Sequence, residues 1–239
     1  MKYYSQYNQD KYLDEVIFQG RTRGLFVEVG AHDGITFSNS YFFEKERSWT
    51  GICIEPRKSA FAELVKNRNC FCENVGIAEE RETKKFLDIA GDNAMLSGLC
   101  DNFSENHLKR VDREKTKEII DVECLPLTDV MTRNGIYFID FCGIDTEGNE
   151  IEVVKSINFE KIFVKFFLIE NYCKEKELRA FMRSKGYYLI KTLTSDDLYV
   201  HTSILMGSSK LFWLAVKANT IDRLLEPILK RKYLLKKLC

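Results

Sequence analysis

The stretch Leu25-Phe26-Val27-Glu28-Val29-Gly30-Ala31-His32-Asp33-Gly34 sets the strongest limit on how this chain can fold. An apolar run ends in an acid and a Gly-x-x-x-Gly turn, and a helix-like segment, 35–45, follows. Glycine lets the backbone turn sharply and lets a ligand come close to it. The helix behind offers unpaired N–H groups at its start. A phosphate-binding loop would carry Lys and Ser/Thr here, whereas this loop carries Glu28. It suits a cationic or neutral ligand with amine and hydroxyl groups. The plain alternative is a strand-to-helix turn with no ligand.

The pattern repeats along the chain. Tyr12, Leu13, Val16 and Ile17 stand at helical spacing, so 8–18 is expected to be a leading helix within an N-terminal cap, 1–22. The spacing predicts strands at 25–29, 49–54, 71–75, 137–144 and 162–169, separated by helices at 38–46, 59–67, 127–132, 150–156 and 174–185. Such alternation predicts a parallel sheet covered by helices, in one domain over 1–239. Segment 84–89 reads as a short edge strand and 118–125 as a further strand. Segments 187–193 and 210–216 are expected to close the sheet as an antiparallel hairpin with a long loop between. The irregular stretch 91–117 is a lid or a surface excursion. The tail, 219–239, is amphipathic and basic.

Composition narrows the classes. The 36 basic and 36 acidic residues cancel, so no global charge argues for nucleic acid. No apolar run approaches the ~18 residues that span a bilayer. The first residues have no apolar core of a secretory signal. None of the eight cysteines forms a C-x-x-C pair, which predicts a reduced, cytoplasmic protein. Cys70 and Cys72 could share a metal, but packing is the simpler reading.

In an open α/β sheet the ligand sits beyond the carboxyl ends of the strands. Glu28 with Gly30, Glu55 with Pro56, Asn74, and Asp145 with Glu147 end four such strands and would meet at one edge. An acid at the end of the second strand can hold both hydroxyls of a ribose. The G-x-G-x-x-G of dinucleotide enzymes is missing.

Five motifs carry a resemblance: Ser5-Gln6-x-x-Gln9-Asp10, Phe26 to Gly34, Gly51-Ile-Cys-Ile-Glu55-Pro56, Asn74-Val-Gly-Ile-Ala78, and Ile144-Asp-Thr-Glu-Gly-Asn-Glu-Ile-Glu-Val-Val154. In this order and spacing the chain resembles the FkbM family of class I S-adenosylmethionine-dependent methyltransferases. The resemblance implies a Rossmann-like, seven-stranded, mostly parallel sheet with an antiparallel last strand and helices on both faces. It implies O-methyl transfer to a sugar or glycan hydroxyl. Glu28, Gly30, Asp33, Gly34 and Ser38 fall on the loop for the methionine side. Glu55 falls on the ribose acid, with Pro56 behind it. Asn74 and Val75 fall on the adenine edge, and Asp145 beside the methyl group. Gln6 and Asp10 would close over the cofactor. The chain departs from the pattern at Gly143, which is expected to bend the strand before Asp145.

Methyl transfer to a hydroxyl needs alignment, a base and exclusion of water. Asp145 and Glu147 are candidates for the base, or for holding a divalent ion such as Mg²⁺. The alternative has Glu147 capping the next helix and Asp145 holding an amine. Glu170 and Asn171 could join Asp145 around a metal, or Glu170 could meet the acceptor. His107 and His201 lie in segments that could cover the acceptor, with 91–117 and 194–209 setting specificity; a lone surface His is the competing reading for each. His32 is expected to position backbone. Two other functions compete: an NAD-dependent sugar oxidoreductase, and a non-catalytic binding module attached through the basic tail. That tail can lie on an anionic membrane, pack on the sheet, or pair copies into a homo-oligomer.

Overall fold

The structure, a computed structural model, describes residues 1–91, 93–102, 111, 116–172, 174 and 176–218. The expectations for His107 and for the basic tail fall outside the described residues.

Strands β1 (Leu25–Val29), β2 (Thr50–Ile54) and β3 (Phe71–Glu73) alternate with helices Tyr41–Arg47 and Lys58–Asn67. Then come β4 (Gly76–Ile77), β5 (Glu82–Ile89), β6 (Gly98–Leu99) and β7 (Lys117–Leu125). Helix Leu127–Arg133 leads to β8 (Phe138–Ile144), helix Glu150–Lys155 to β9 (Phe163–Glu170), and helix Lys176–Ser184 to β10 (Tyr187–Leu193) and β11 (Asp196–His201).

Seven strands form one sheet in the order β10-β11-β9-β8-β1-β2-β3. All pairings from β9 to β3 are parallel, and β11 runs antiparallel to both its neighbours. This is the class I methyltransferase fold. The strands are mostly apolar, each interrupted by one charge at most before its end, because both faces are covered. Val27, Ile52, Ile54 and Cys142 enter the core on one face, and Phe26, Cys53, Phe141 and Phe166 enter that on the other. On the second face Phe18 packs edge-on against Phe43, Trp49 and Phe166.

Four expectations are corrected. The third strand stops at Glu73, because the Asn74 amide donates to the carbonyls of Glu55 and Pro56 and turns the chain away. Gly76–Ile77 then pairs with β7 in a second sheet, ordered β4-β7-β5-β6. Segment 84–89 is no edge strand: β5 lies between β7 and β6. The partner of β10 is β11, inside the segment read as a specificity loop, while 209–218 is helical. Leu211 and Ala215, four residues apart, bury one face of that helix. The polar start Asp196-Asp197 hid β11, and both acids are paired: Asp197 with Arg179, Asn171, Thr192 and Tyr199, and Asp196 with Gln9. Finally, Gly143 does not bend β8. The register runs unbroken from Phe141 to Ile144 on both sides.

Among the described residues no helix is long and apolar enough to cross a membrane. Cys53, Cys70 and Cys72 pack together in the second core, with the first two sulfurs 3.6 Å apart.

Candidate active site

The strand order reverses between β1 and β8, and a cavity of about 310 Å³ opens there beyond the strand ends. Gly30 turns β1 away with φ +83°, and a Cβ on it would stand 1.7 Å from the Asp145 carbonyl oxygen. Only glycine lets the two loops cross this closely.

Glu55, at the end of β2, is buried. Its two oxygens accept the backbone N–H groups of His32 and Arg57, each at 2.8 Å. Burial pushes its pKa up to about 7, against the pull of those two donors and of the Arg57 charge. Arg57 is itself paired with Asp88 of β5, which ties the second sheet to the site. Residues Phe86, Met95, Leu96 and Leu99 of that sheet and its loops form one wall of the cavity. Part of the 91–117 stretch thus faces the ligand space.

The opposite wall is acidic. Asp145 hydrogen-bonds to Glu170, and both lie near Glu150 and Asp196. Burial, then like charge, raises the Asp145 pKa strongly and brings Glu170 to about 8. Asp196 is raised as well, mainly by burial, although Gln9 donates its amide to it. Thr146 and Gly148 give their N–H groups to Glu150, so Glu150, rather than Glu147, organises the loop into the next helix. Glu147 lines the cavity in the left-handed region, φ +58°.

Of the residues expected at the site, Gln6, Gly30, Glu55, Pro56, Val75, Asp145, Glu147 and Glu170 line the cavity. Others serve it from behind. Glu28 accepts from Ser38, Ser40 and the Asn39 N–H and faces buried Arg68. Its charge holds the turn after the glycine loop, and Glu28 and Ser38 line a small side pocket that shares Gly30, Asn39 and Asp145 with the main cavity. Asp33 takes the N–H groups of Ile35 and Thr36, and Gly34 packs under Leu64 and Arg68. Asp10 is buried and accepts from the Tyr4, Ser5 and Lys11 N–H groups and the Ser5 hydroxyl. It folds the N-terminal arm, which carries Gln6 and Gln9 to the cavity. Asp10→Asn turns an amide donor toward those N–H groups and is expected to cost about 1–3 kcal/mol of stability, read as a lower urea midpoint.

Two placements fail outright. Antiparallel β11 starts beside Glu170 and carries His201 to the opposite end of the sheet. There the ring packs edge-on against Phe163 and Tyr187 and accepts the Ser203 N–H. Asn171 follows Glu170 on an extended chain and so points the other way; its amide donates to Asp197. The set Asp145, Glu170 and Asn171 is therefore not assembled around a metal. Among the described residues no three His, Cys, Asp or Glu side chains are arranged to hold one.

Sequence reasoning passed over Gln9, Asn39, Arg57 and Asp196 as site residues. Gln9 stood in the leading motif. Asp196 gave no signal while its strand was read as a loop.

A doubly wound sheet with a buried acid ending β2 and a cavity at the switch point defines an enzyme of the nucleoside-cofactor type. The profile described as Methyltransferase FkbM domain matches residues 28–189, and the chain belongs to that family. Its structure is similar to a methyltransferase FkbM from Methylobacillus flagellatus KT, with 14% identity and TM-score 0.46 over 75% of this chain and 44% of that one. The chain thus spans under half of that protein's length. It is also similar to the N-terminal domain of human METTL16 in complex with SAH, with 12% identity and TM-score 0.41 over 81% of this chain and 67% of that one. No curated protein matches it.

Proposed function

We propose that this chain moves a methyl group from S-adenosylmethionine to a hydroxyl of a sugar or glycan. The observation that carries the cofactor reading is the Glu55 carboxylate, fixed by two backbone N–H groups at the rim of the cavity. Its remaining lone pairs suit the two ribose hydroxyls. Val75 and Pro56 supply apolar contact for the base beside them. Asn39 and His32 line the same cavity; Asn39 Oδ1 is buried with no hydrogen-bond partner, and His32 Nδ1 lies 3.7 Å from the Asp33 carboxylate. An amine would satisfy the first of them. The acidic wall of Asp145, Glu170 and Asp196 favours a ligand bearing positive charge.

The bound cofactor supplies a methyl carbon made electrophilic by its sulfonium. Around it Glu55 fixes the ribose, and the arm bearing Gln6 and Gln9 with the wall from Met95 to Leu99 excludes water. The Asp145–Glu170 pair shares protons and takes the one released by the acceptor hydroxyl. Oxygen as the methylated atom and a carbohydrate as the acceptor are what the sequence resemblance implies.

Titration calorimetry with S-adenosylhomocysteine tests this reading. Micromolar binding is expected, with no heat from NAD. Binding of NAD alone would replace it with the oxidoreductase reading.

A further inference from the structure

Cys53, Cys70 and Cys72 meet at the β3 end of the seven-stranded sheet. Cys53 lies in β2, opposite Cys72 of β3. Cys70 stands two residues before Cys72 and reaches the same core. The Cys53 and Cys70 sulfurs are 3.6 Å apart. Cys53 is fully buried, whereas Cys70 and Cys72 are only half-buried and so within reach of a small solute. β3 is the outermost strand, and its ladder with β2 starts at Phe71. Cys70 precedes that ladder, on the open side of the sheet.

The surroundings divide the three sulfurs into one nucleophile and two thiols. The buried Arg68 guanidinium acts on Cys53 and Cys70 as well as on its carboxylate partners Glu28 and Glu44. Hydrogen bonds with the Cys53 and Cys72 thiols, then the Arg68 charge, pull the Cys70 thiol well below its ordinary range against the cost of burial. Burial pushes Cys53 up, and the hydrogen bond with Cys70, followed by burial, does the same to Cys72. A thiolate beside a cation and open to solvent is the form of cysteine that reacts.

We infer that Cys70 is a site of oxidation by hydrogen peroxide, and that Cys53 captures the oxidised sulfur in a reversible disulfide. The Cys70 thiolate attacks one oxygen of the peroxide. An S–O bond forms, the O–O bond breaks, and hydroxide leaves and takes a proton from solvent. The charge on Cys70 is then gone, and Arg68 is left to favour the Cys53 thiolate. The Cys53 sulfur attacks the sulfur of the sulfenic acid. An S–S bond forms, the S–O bond breaks, and the departing hydroxide joins the Cys53 proton as water. The two thiols together lose two electrons, and one peroxide becomes two waters. The bridge draws Cys53 away from Glu28, 3.9 Å from its sulfur. Glu28 holds Ser38, Asn39 and Ser40 behind the glycine loop, so the modification acts at the root of that turn. The inference is independent of the reaction proposed above.

The test treats the reduced full chain with hydrogen peroxide, blocks the remaining thiols by alkylation and maps the peptides by mass spectrometry. Cys100 is the internal standard, since it is also half-buried but has its thiol pushed up by burial. Cys70 is expected to lose its free thiol at least about tenfold faster than Cys100, and to appear in a disulfide with Cys53 that dithiothreitol reverses. In Cys53→Ala, dimedone is expected to tag the sulfenic acid at Cys70. In Cys70→Ser, Cys53 and Cys72 are expected to stay reduced. Thermal unfolding checks that both variants fold, and where one does not, the peptide map of the unaltered chain decides alone. Oxidation of Cys70 no faster than that of Cys100 overturns the inference. So does a bridge from Cys70 to Cys72 or between two chains, or a Cys53–Cys70 bridge that forms as fast in urea-unfolded chain.

Discussion

Glu55→Gln is expected to bind S-adenosylhomocysteine at least about 100-fold more weakly than the unaltered chain at pH 8. Two terms add. Each charge-assisted hydrogen bond to a ribose hydroxyl contributes about 1.5–3 kcal/mol, and the neutral amide offers only one oxygen. The amide nitrogen must also face the N–H of either His32 or Arg57, now donor against donor. pH gives an independent readout. The Glu55 pKa, raised by burial to about 7, lies above its ordinary value of 4.5. Affinity is therefore expected to climb as the pH rises toward 7, by up to about tenfold per unit, and to level off beyond 8. Stability has the opposite sign. The native state keeps a proton that the unfolded chain releases, so this group's contribution is full below pH 4.5 and is lost as pH rises through 7. It amounts to about 3 kcal/mol. Calorimetry at several pH values reads the first trend and urea unfolding the second. Unaltered affinity in Glu55→Gln would remove the ribose role from this residue.

The sheet was legible because both of its faces are buried. Runs such as Phe26 to Val29 and Phe138 to Ile144 are apolar but for one acid each, Glu28 and Asp140, and the glycines and acids that end them mark where the chain turns. The cavity-lining residues of these strand ends were legible for the same reason: the ends of parallel strands converge. What stayed hidden depended on partners remote in sequence. β11 opens with two aspartates, a polar start that makes sense only once Arg179 and Gln9 are in place to meet them. β5 looked like an edge because its two neighbours, β6 and β7, come later in the chain, across the irregular stretch that follows it. Glu28 was legible as an acid ending a strand, but its buried partner Arg68, forty residues further on, was not. His201 looked reactive because strand direction, which sends it to the far end of the sheet, is invisible in the sequence alone.

Asp145→Asn is expected to lower kcat by about 10²–10⁴-fold on whichever saccharide a methylation screen yields. The alcohol is a poor nucleophile until its proton has somewhere to go. The Asp145–Glu170 pair is the basic group best placed at the cavity, and Glu170 gives up its proton only at about 8 because burial and the charges of Glu147, Glu150 and Asp196 hold it on. In the free enzyme, then, kcat/KM is expected to rise with pH and level off above about 8. A positive charge bound against the acidic wall favours the ionised pair. The limb in kcat should therefore lie at lower pH than the limb in kcat/KM. The variant keeps a hydrogen-bond donor toward Glu170 while losing half of the shared proton site. Its defect should appear in kcat, with S-adenosylhomocysteine affinity changed by less than about tenfold, because a neutral sulfur feels the lost charge weakly. A kcat within about threefold of the parent, with the same pH limb, would take the base role away from Asp145. An equal test on Glu170→Gln would then decide whether the second carboxyl acts alone.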